Sequence, residues 1–321
     1  MSINDVTVVI VNFNSGSQLK ICLAHLLQQT LSPKEIFIVD NNSTDDSLDI
    51  DIIEREPRIN LIRSSTNLGF AVANNIAIKK CKTELVALLN PDAYPQPDWL
   101  EKLVESAHLH SDAASFGSKM LCYPERDQLD GIGDVYHFSG LVWRRAHGKS
   151  SALVGNVANS RKIFSACAGA ALYRRSAFEY VGGFDEDYFC YVEDVDLGFR
   201  LQLAGFSSVY VEDAVVEHVG GGTSGGKHSD FSIYYGHRNL IWTFVKNLPF
   251  PLMILFLPFH ISMNIIAFFY FCWKGKAKVI FKSKIDGIKF LPKMFAKRRD
   301  IRVYRKVSCA DLLKIIDFKF K

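Results

Sequence analysis

The chain has 321 residues, enough to bury a sizeable core in one large domain or two lobes, and its formal net charge is only +4. That average conceals a division: residues 1–273 carry 22 Lys and Arg against 30 Asp and Glu, while residues 274–321 carry 16 against 4. A mildly acidic body with a strongly basic tail directs the tail toward an anionic surface, and seven scattered cysteines without a CxxC pair argue against a disulfide framework or a zinc ribbon.

The first apolar run, Val6 to Val11, is β-branched and continuous, which suits a strand buried on both faces. It is too short for the apolar segment of a signal peptide, and Asp5 stands where a basic flank would be, so the body is expected in the cytoplasm. Leu19 to Gln29 has helical spacing and Glu35 to Val39 predicts a second buried strand, giving a strand–helix–strand unit and a parallel sheet. A weaker strand, Ile59 to Arg63, leads to Gly69 and a helix over Ala71 to Lys79; Glu84 to Leu89 is another strand, ending in Asn90, Pro91 and Asp92. Ligands of open α/β sheets bind outside the carboxyl ends of the strands, where Asn12, Phe13, Asn14, Asp40, Asn67 and Asp92 fall together. Taken singly, each ending also reads as an ordinary helix cap or turn.

After residue 115 the strand–helix rhythm lapses. Ser118 to Lys162 has no long helical pattern and is expected to be a mobile segment or lid on the side of a second substrate. Small residues from Ala166 to Ala171 permit close approach of another chain or a ligand. Glu193, Asp194 and Asp196 then crowd three carboxylates into four positions, a cluster that suits a cation or a proton transfer, although Asp194 could equally be the N-cap of a helix with Leu197, Leu201 and Ala204 inward. Ser207 to Val211 is a strand, and His218 opens a glycine-rich loop extending to Gly226, near enough to the acids to be a metal candidate. GGGTSGG lacks the ending and spacing of a phosphate-binding P-loop.

Leu248 to Trp273 is the most apolar stretch, but Pro249, Pro251 and Pro258 interrupt it, leaving 15 residues after Pro258. A single crossing would place the basic tail on the far side of a membrane from the body, against the positive-inside tendency. An in-plane or re-entrant helix is therefore expected, followed by a basic interfacial helix in which Ala277, Ile280, Phe281, Ile285, Ile288, Leu291 and Phe295 recur among lysines. So apolar a neighbour argues against nucleic acid as the tail's partner. The tail is expected to be separable, so that removing residues 248–321 leaves the body's site intact.

Together VIVNFN, IVDNNSTDDS, NLGFAVANN, LLNPDAYP, GAALYRRSAFEYVGGFDEDYF, YVEDVDLGFR and His218 with its glycines resemble, in order and spacing over about residues 5–240, the inverting glycosyltransferases of family 2, particularly the rhamnosyltransferase-like branch that builds bacterial surface polysaccharides such as O-antigen. The resemblance implies a GT-A type α/β fold. A Rossmann-like nucleotide-sugar half with a mostly parallel sheet would occupy residues 1–115, an acceptor-binding and catalytic half 116–245, and membrane-associated helices 246–321. It implies further that Val11, Phe13 and Asp40 hold the base of the donor, with Asn67, Gly69 and Asn74 near the nucleotide. Asp92 would be the main carboxylate ligand of a divalent metal, Mn or Mg, with His218 as second ligand, because Asn90 replaces the first acid of the family's Asp-x-Asp element. Asp194 matches the general base, with Glu193 beside it.

These roles suit the chemistry. A divalent ion stabilises the charge on a departing nucleoside diphosphate, and a carboxylate must take the proton of the attacking hydroxyl. Glu193 and Asp196, as like charges, would help Asp194 hold that proton. The expected partners are a nucleotide-diphosphate sugar, with rhamnose the first choice and UDP-galactose another, a glycan acceptor that is lipid-linked, and an anionic membrane surface, at the cytoplasmic face of the bacterial inner membrane. A nucleotidyltransferase would want an Arg-bearing glycine loop after Val11, which is absent; a non-catalytic membrane-anchored sugar-binding protein would need no acid cluster at residues 193–196.

Overall fold

The structure, a computed structural model, describes residues 5–153, 162–220 and 229–319. Residues 221–226 of the glycine-rich loop lie outside the described residues. A mixed sheet runs through the body in the order β10-β12-β6-β11-β4-β1-β2-β3, where β1 is Val6–Asn12, β2 Glu35–Asp40, β3 Ile59–Arg63, β4 Leu85–Leu89, β6 Ala113–Cys122, β10 Lys162–Ile163, β11 Ala170–Arg174 and β12 Ser207–His218. The strands β4, β1, β2 and β3 are parallel neighbours, as are β12 and β6; β11 enters antiparallel between β4 and β6.

The apolar runs are continuous because both faces of the sheet are covered. Alternate residues Val6, Val8 and Ile10 join one core with Leu19 and Leu23 of the helix Gln18–Leu26 and Leu103 of the helix Trp99–Leu109. Val9 points to a second core with Ala73 and Ala77 of the helix Gly69–Ile78 and Leu197 and Leu201 of the helix Glu193–Leu203. In-register pairing sets Asn12 beside Asp40 and Asp40 beside Arg63, so the carboxyl ends of three strands form one rim.

Three expectations change. The segment after residue 115 is not a plain lid through residue 153: it carries β6 and the short strands β7 (Leu129–Gly131), β8 (Asp134–Tyr136) and β9 (Val142–Arg144), with β7 paired to β6 and β8 to β9. Residues 154–161 lie outside the described residues. Pro258 does not break the apolar stretch, since one helix runs from Phe250 to Trp273, 24 residues, long and apolar enough by length and composition to cross a membrane. Burial of Leu252, Met253 and Phe256 before the proline and His260 after it offsets the backbone hydrogen bond the ring removes. The helix Ala277–Lys289 packs against the helices Asp230–Asn247 and Phe250–Trp273, so the chain turns back on itself instead of leaving the body.

The tail is packed into the body. Leu252, Met253, Phe256, Met294, Ile301, Leu312 and Ile316 share a third core with Tyr136, Phe164, Tyr188 and Phe199. Lys297 pairs with Asp185, and Asp317 N donates to Tyr136 O at 2.9 Å. Removing residues 248–321 would strip apolar cover from the back of the helix Glu193–Leu203, because the tail supplies one wall of that core.

Candidate active site

The strand β12 is longer than expected, continuing past a bulge between Val211 and Val215 to His218. Its end pairs antiparallel with β5 (Ala93–Pro95), placing His218 opposite Ala93, and Val219 N donates to Asp92 O at 3.0 Å. This ladder brings together two residues separated by more than a hundred positions: His218 Nε2 lies 3.4 Å from Asp92 Oδ1. The other ring nitrogen, Nδ1, meets Asp130 Oδ2 at 2.9 Å, and Asp130 is in turn ion-paired to Arg144 and lies 3.4 Å from His147 Nδ1. Asp130 and Arg144 were not legible as site residues, because they come from the segment read as a lid. Their one sequence signal was an unusual density of charge among glycines.

The charges of this group are mutually supporting. Burial would raise the Asp92 carboxyl, but His218, by hydrogen bond and charge, holds it below the usual range. Burial would lower His218, yet Asp130 and Asp92 outweigh it and lift the imidazole to about 9. Burial likewise opposes ionisation of Asp130, and Arg144 and His218 overcome it.

The residues suit a divalent ion. His218 Nε2 is buried 3.4 Å from Asp92 Oδ1, so the two could hold an ion between them once the imidazole gives up its Nε2 proton, and Asp130 on Nδ1 would keep the ring turned for it. Among the described residues no three His, Cys, Asp or Glu side chains are disposed to hold a metal. A pair of protein ligands leaves positions for diphosphate oxygens and water, as Mg²⁺ and Mn²⁺ require.

Asp194, on the helix Glu193–Leu203, comes near the Asn90–Asp92 turn. Its Oδ2 accepts from Ala168 N at 3.1 Å and its Oδ1 from Val195 N at 2.8 Å. Asn90 N donates to Gly169 O at 2.8 Å, so one residue of backbone separates the partner of Asp194 from that of the Asn90–Asp92 turn. Asp194 is not an N-cap. The helix begins at Glu193, and Val192 before it has φ +68, a left-handed conformation that Phe189 and Tyr191 also adopt. Such strain in β-branched and bulky residues needs outside support. Asn239 provides it, donating from Nδ2 to the carbonyls of Tyr188, Cys190 and Tyr191 at 3.0, 3.0 and 2.8 Å.

The three acids of the cluster are sorted by environment. Asp196 is fully buried and meets Arg200, Lys246, the Tyr188 hydroxyl and Asn247. Glu193 is buried with Oε2 unpartnered; burial and the Asp194 charge push its carboxyl well above the usual range. Only Asp194 remains half-exposed. The like charges expected beside Asp194 are thus not free: Asp196 is compensated by Arg200 and Lys246. A further acid stands near them. Asp134 is buried, accepts from the Ser165 hydroxyl at 3.1 Å, and is raised to about 8 by burial and by the charge of Asp194.

On the opposite side of the rim, Asp40 Oδ1 accepts from Ser43 N (3.2 Å) and Asn12 Nδ2 (3.4 Å), with Val11 and Phe13 half-buried beside it. Asn67 Oδ1 accepts from Gly69 N (2.9 Å) and Asn41 Nδ2 (3.0 Å), while Asn74 turns back to its own helix, donating to Phe70 O (2.9 Å). Gly69, at φ +79, lies beneath Phe189, whose carbonyl accepts from Phe70 N; a Cβ there would stand 2.7 Å from that oxygen. The fold thus sets Asp92, His218 and the Asp194 neighbourhood together, and keeps Val11, Phe13 and Asp40 as a second group on the same rim. A cavity of about 900 Å³ lined by Phe178, Asp185, Lys246, Lys297 and Tyr304 contains none of these residues.

A family model described as "Glycosyl transferase family 2" matches residues 7–182, more than half of the chain. The chain belongs to that family. It is therefore an enzyme, a glycosyltransferase. It is 32% identical to an N-acetylglucosaminyl-diphospho-decaprenol L-rhamnosyltransferase of Mycobacterium tuberculosis over 230 residues, covering 66% of this chain and 75% of that one. It is also 32% identical over 192 residues to the O-antigen biosynthesis protein RfbC of Myxococcus xanthus, covering 57% of this chain and 15% of that much longer one. The family resemblance read from the motifs, including its rhamnosyltransferase-like branch, is thereby confirmed. The GT-A fold is confirmed by solved structures. A mannosyltransferase from Pyrobaculum calidifontis in complex with GDP-Man and Mn²⁺ superimposes with a TM-score of 0.55 at 15% identity, covering 88% of this glycosyltransferase and 87% of that chain. GalNAc-T7 with UDP, GalNAc and Mn²⁺ gives 0.58 at 17% identity, covering 74% of this chain, which spans about half of that one (47%).

Proposed function

We propose that this family 2 enzyme transfers a sugar, with rhamnose the first choice, from a nucleotide-diphosphate donor to a hydroxyl of a lipid-linked glycan, by a single displacement that inverts the anomeric centre. The observation that carries the mechanism is the sorting of the acid cluster. Asp194 alone is open, it is oriented by two backbone N–H groups, and it stands beside the turn bearing Asp92. In this reading Asp194 takes the acceptor proton at Oδ1 or Oδ2 as the hydroxyl attacks, which is worth roughly 10²–10⁴ in rate. Asp134, raised to about 8, and Glu193, pushed well above the usual range, favour the protonated form and in it can donate hydrogen bonds to acceptor or donor oxygens. Val11, Phe13 and Asp40 hold the base, and Asn67 and Gly69 shape the approach to it. Asp92 and His218 would hold Mn²⁺ or Mg²⁺, whose charge stabilises the departing diphosphate. Asp130 keeps the His218 ring turned so that Nε2 faces Asp92. The relative with 32% identity is named for a diphospho-decaprenol substrate, which supports a lipid-linked acceptor here.

We propose the cytoplasmic face of the inner membrane as the place of reaction. Ile254, Leu255, Phe259, Ile261, Ile265, Ile266 and Phe269 on one helix and Phe281, Ile285 and Ile288 on the next are exposed, and lysines flank them. Because the following helix packs back on the body, the apolar helix is read as lying in the interface rather than spanning it. The test is transfer from dTDP-rhamnose and UDP-galactose to a lipid-linked N-acetylglucosamine diphosphate, with the anomeric configuration of the product read by NMR. Retention would overturn single displacement. Release of pyrophosphate in place of a nucleoside diphosphate would overturn glycosyl transfer from these donors.

A further inference from the structure

Behind the apolar face of the helix Phe250–Trp273 lies a line of polar side chains that the reaction at Asp194 does not use. His260 Nδ1 meets Ser139 O at 2.8 Å, Asn264 Nδ2 meets His260 Nε2 at 3.1 Å, Lys284 Nζ donates to Asn264 Oδ1 at 2.6 Å, and Lys284 Nζ lies 3.4 Å from His237 Nδ1. The directions follow from chemistry. The Ser139 carbonyl can only accept, so His260 Nδ1 carries its proton, Nε2 accepts from the Asn264 amide, and that amide presents its oxygen to the lysine. Both partners of Lys284 are uncharged side chains, and no carboxylate offsets burial, which draws its ammonium down to about 8. The nearest acid in sequence, Asp286, is engaged by the Tyr234 hydroxyl at 2.6 Å. A half-buried cation resting on neutral groups lacks the anion that would complete it.

The space at this point is small and its rim apolar. A cavity of about 10 Å³ is lined by Ser139, His237, His260 and Asn264 with Leu240, Met263 and Ala267, room for one atom of the size of water. The turn Tyr136–Leu141 forms its wall. Gly140, at φ +82, lies so close that a Cβ would stand 2.5 Å from His260 Nδ1. That turn continues the strand β8, which begins at Asp134 beside Asp194, and three residues of extended chain cover about 10 Å.

We propose that Lys284, with Asn264 and His237, is a subsite for one phosphoryl oxygen of a lipid phosphate held in the membrane surface. Lys284 does not itself line the cavity but holds two of its lining residues, Asn264 and His237, so the phosphate sits outside it against the half-buried ammonium, with its lipid chain along Met263, Ala267 and the exposed face of the apolar helix. Lysine binds phosphate as a point charge, and the Asn264–His260–Ser139 chain fixes where that charge stands. The inference rests on the reading of a lipid-linked acceptor. It places the phosphates of that acceptor at one end of the β8–β9 hairpin and its sugar at the other, near Asp194.

The test is flotation of the full-length protein with phosphatidylcholine vesicles, with the same vesicles carrying a few mole per cent of a polyprenyl phosphate, and with inorganic phosphate added as competitor. Wild-type binding should strengthen at least about tenfold with the polyprenyl phosphate, the worth of one charge-assisted hydrogen bond. Lys284→Met should lose that gain while keeping its melting temperature and its binding to plain vesicles, and Lys284→Arg should keep most of it. A full gain in Lys284→Met would overturn the subsite, as would loss of plain-vesicle binding together with the melting transition. Displacement by inorganic phosphate at the concentration of the lipid phosphate would overturn the assignment to a lipid. No sugar is transferred in this experiment, so its failure leaves the lipid-linked acceptor standing, and a soluble acceptor found by transfer assay leaves the binding result untouched.

Discussion

On the helix Glu193–Leu203, Asp194 and Asp196 stand two positions apart and meet opposite surroundings. Asp194 is half-exposed and touches two backbone N–H groups beside the Asn90–Asp92 turn. Asp196, turned to the interior, is fully buried among Arg200 and Lys246, and Lys246 also serves Asp185, which Lys297 reaches from the C-terminal helix Leu291–Tyr304. The same residue type is thus left reactive on one face and consumed as structural charge on the other. What separates them is Arg200 one turn along the same helix and, above all, the wall supplied by residues 242–316 against its back.

The sharpest way to break that comparison is to neutralise each acid in turn. Asp194→Asn should lower kcat by roughly 10²–10⁴ while leaving the melting temperature close to that of the wild type. Asp196→Asn should instead destabilise the fold by about 3–5 kcal/mol, because Arg200 and Lys246 would remain buried with less compensation. Steady-state transfer rates and thermal melts of the two proteins, measured side by side, read both effects. If Asp196→Asn melts normally and loses only rate, the division of labour is wrong.

Asp130 extends the comparison to a carboxylate that acts through another residue. Asp130→Asn should weaken Mn²⁺ binding about 10–100-fold by calorimetry, since the charge on the group that holds the His218 ring at Nδ1 would be lost. Unchanged affinity would detach the segment 129–147 from metal binding.

Acid should act on the structural face first. Asp185, Asp187 and Asp196 are all held below the usual carboxylate range; in each burial opposes ionisation, and it is overcome for Asp185 by Lys246 and Lys297, for Asp187 by Lys293 and Lys297, and for Asp196 by Arg200 and Lys246. A carboxyl whose folded pKa is depressed contributes stability that is fully present above its unfolded pKa, about 3.9, and is lost as pH falls through the folded value. The stability these three supply should therefore be fully present between about pH 7 and 5 and be lost below about 4, where the melting temperature should fall. Asp134, raised to about 8, adds the opposite slope above its unfolded pKa, so the maximum lies on the acid side of neutrality. The decline should be shallower in Asp196→Asn, which has one such group fewer.

The smallest effect is expected at Glu193. Because burial and the Asp194 charge favour its neutral form, Glu193→Gln should change stability by less than about 1 kcal/mol and activity little. A loss of rate comparable with that of Asp194→Asn would show that Glu193 acts ionised.

Much of residues 1–115 was legible because the signals there are local. Val6–Val11 and Glu35–Val39 are continuous apolar runs, a pattern only a doubly covered sheet uses, and polar residues at their ends fall on one rim by the geometry of parallel strands. Pro258 misled for a related reason: the rule that proline stops a helix is local, whereas the packing of Leu252, Phe256 and His260 that carries the helix through it is not. By itself the sequence determined the family, the fold class, the rim of Asp40 and Asp92, the acid cluster and the apolar, basic character of the tail. Only the tertiary structure decided which acid of the cluster stays open, that Asp130 and Asp134 join the site, and that the tail is a wall of the core. Charge and burial at a side chain are set by residues that meet it across the fold, as Lys246, Lys297 and Asp130 do, and no spacing along the chain encodes those meetings.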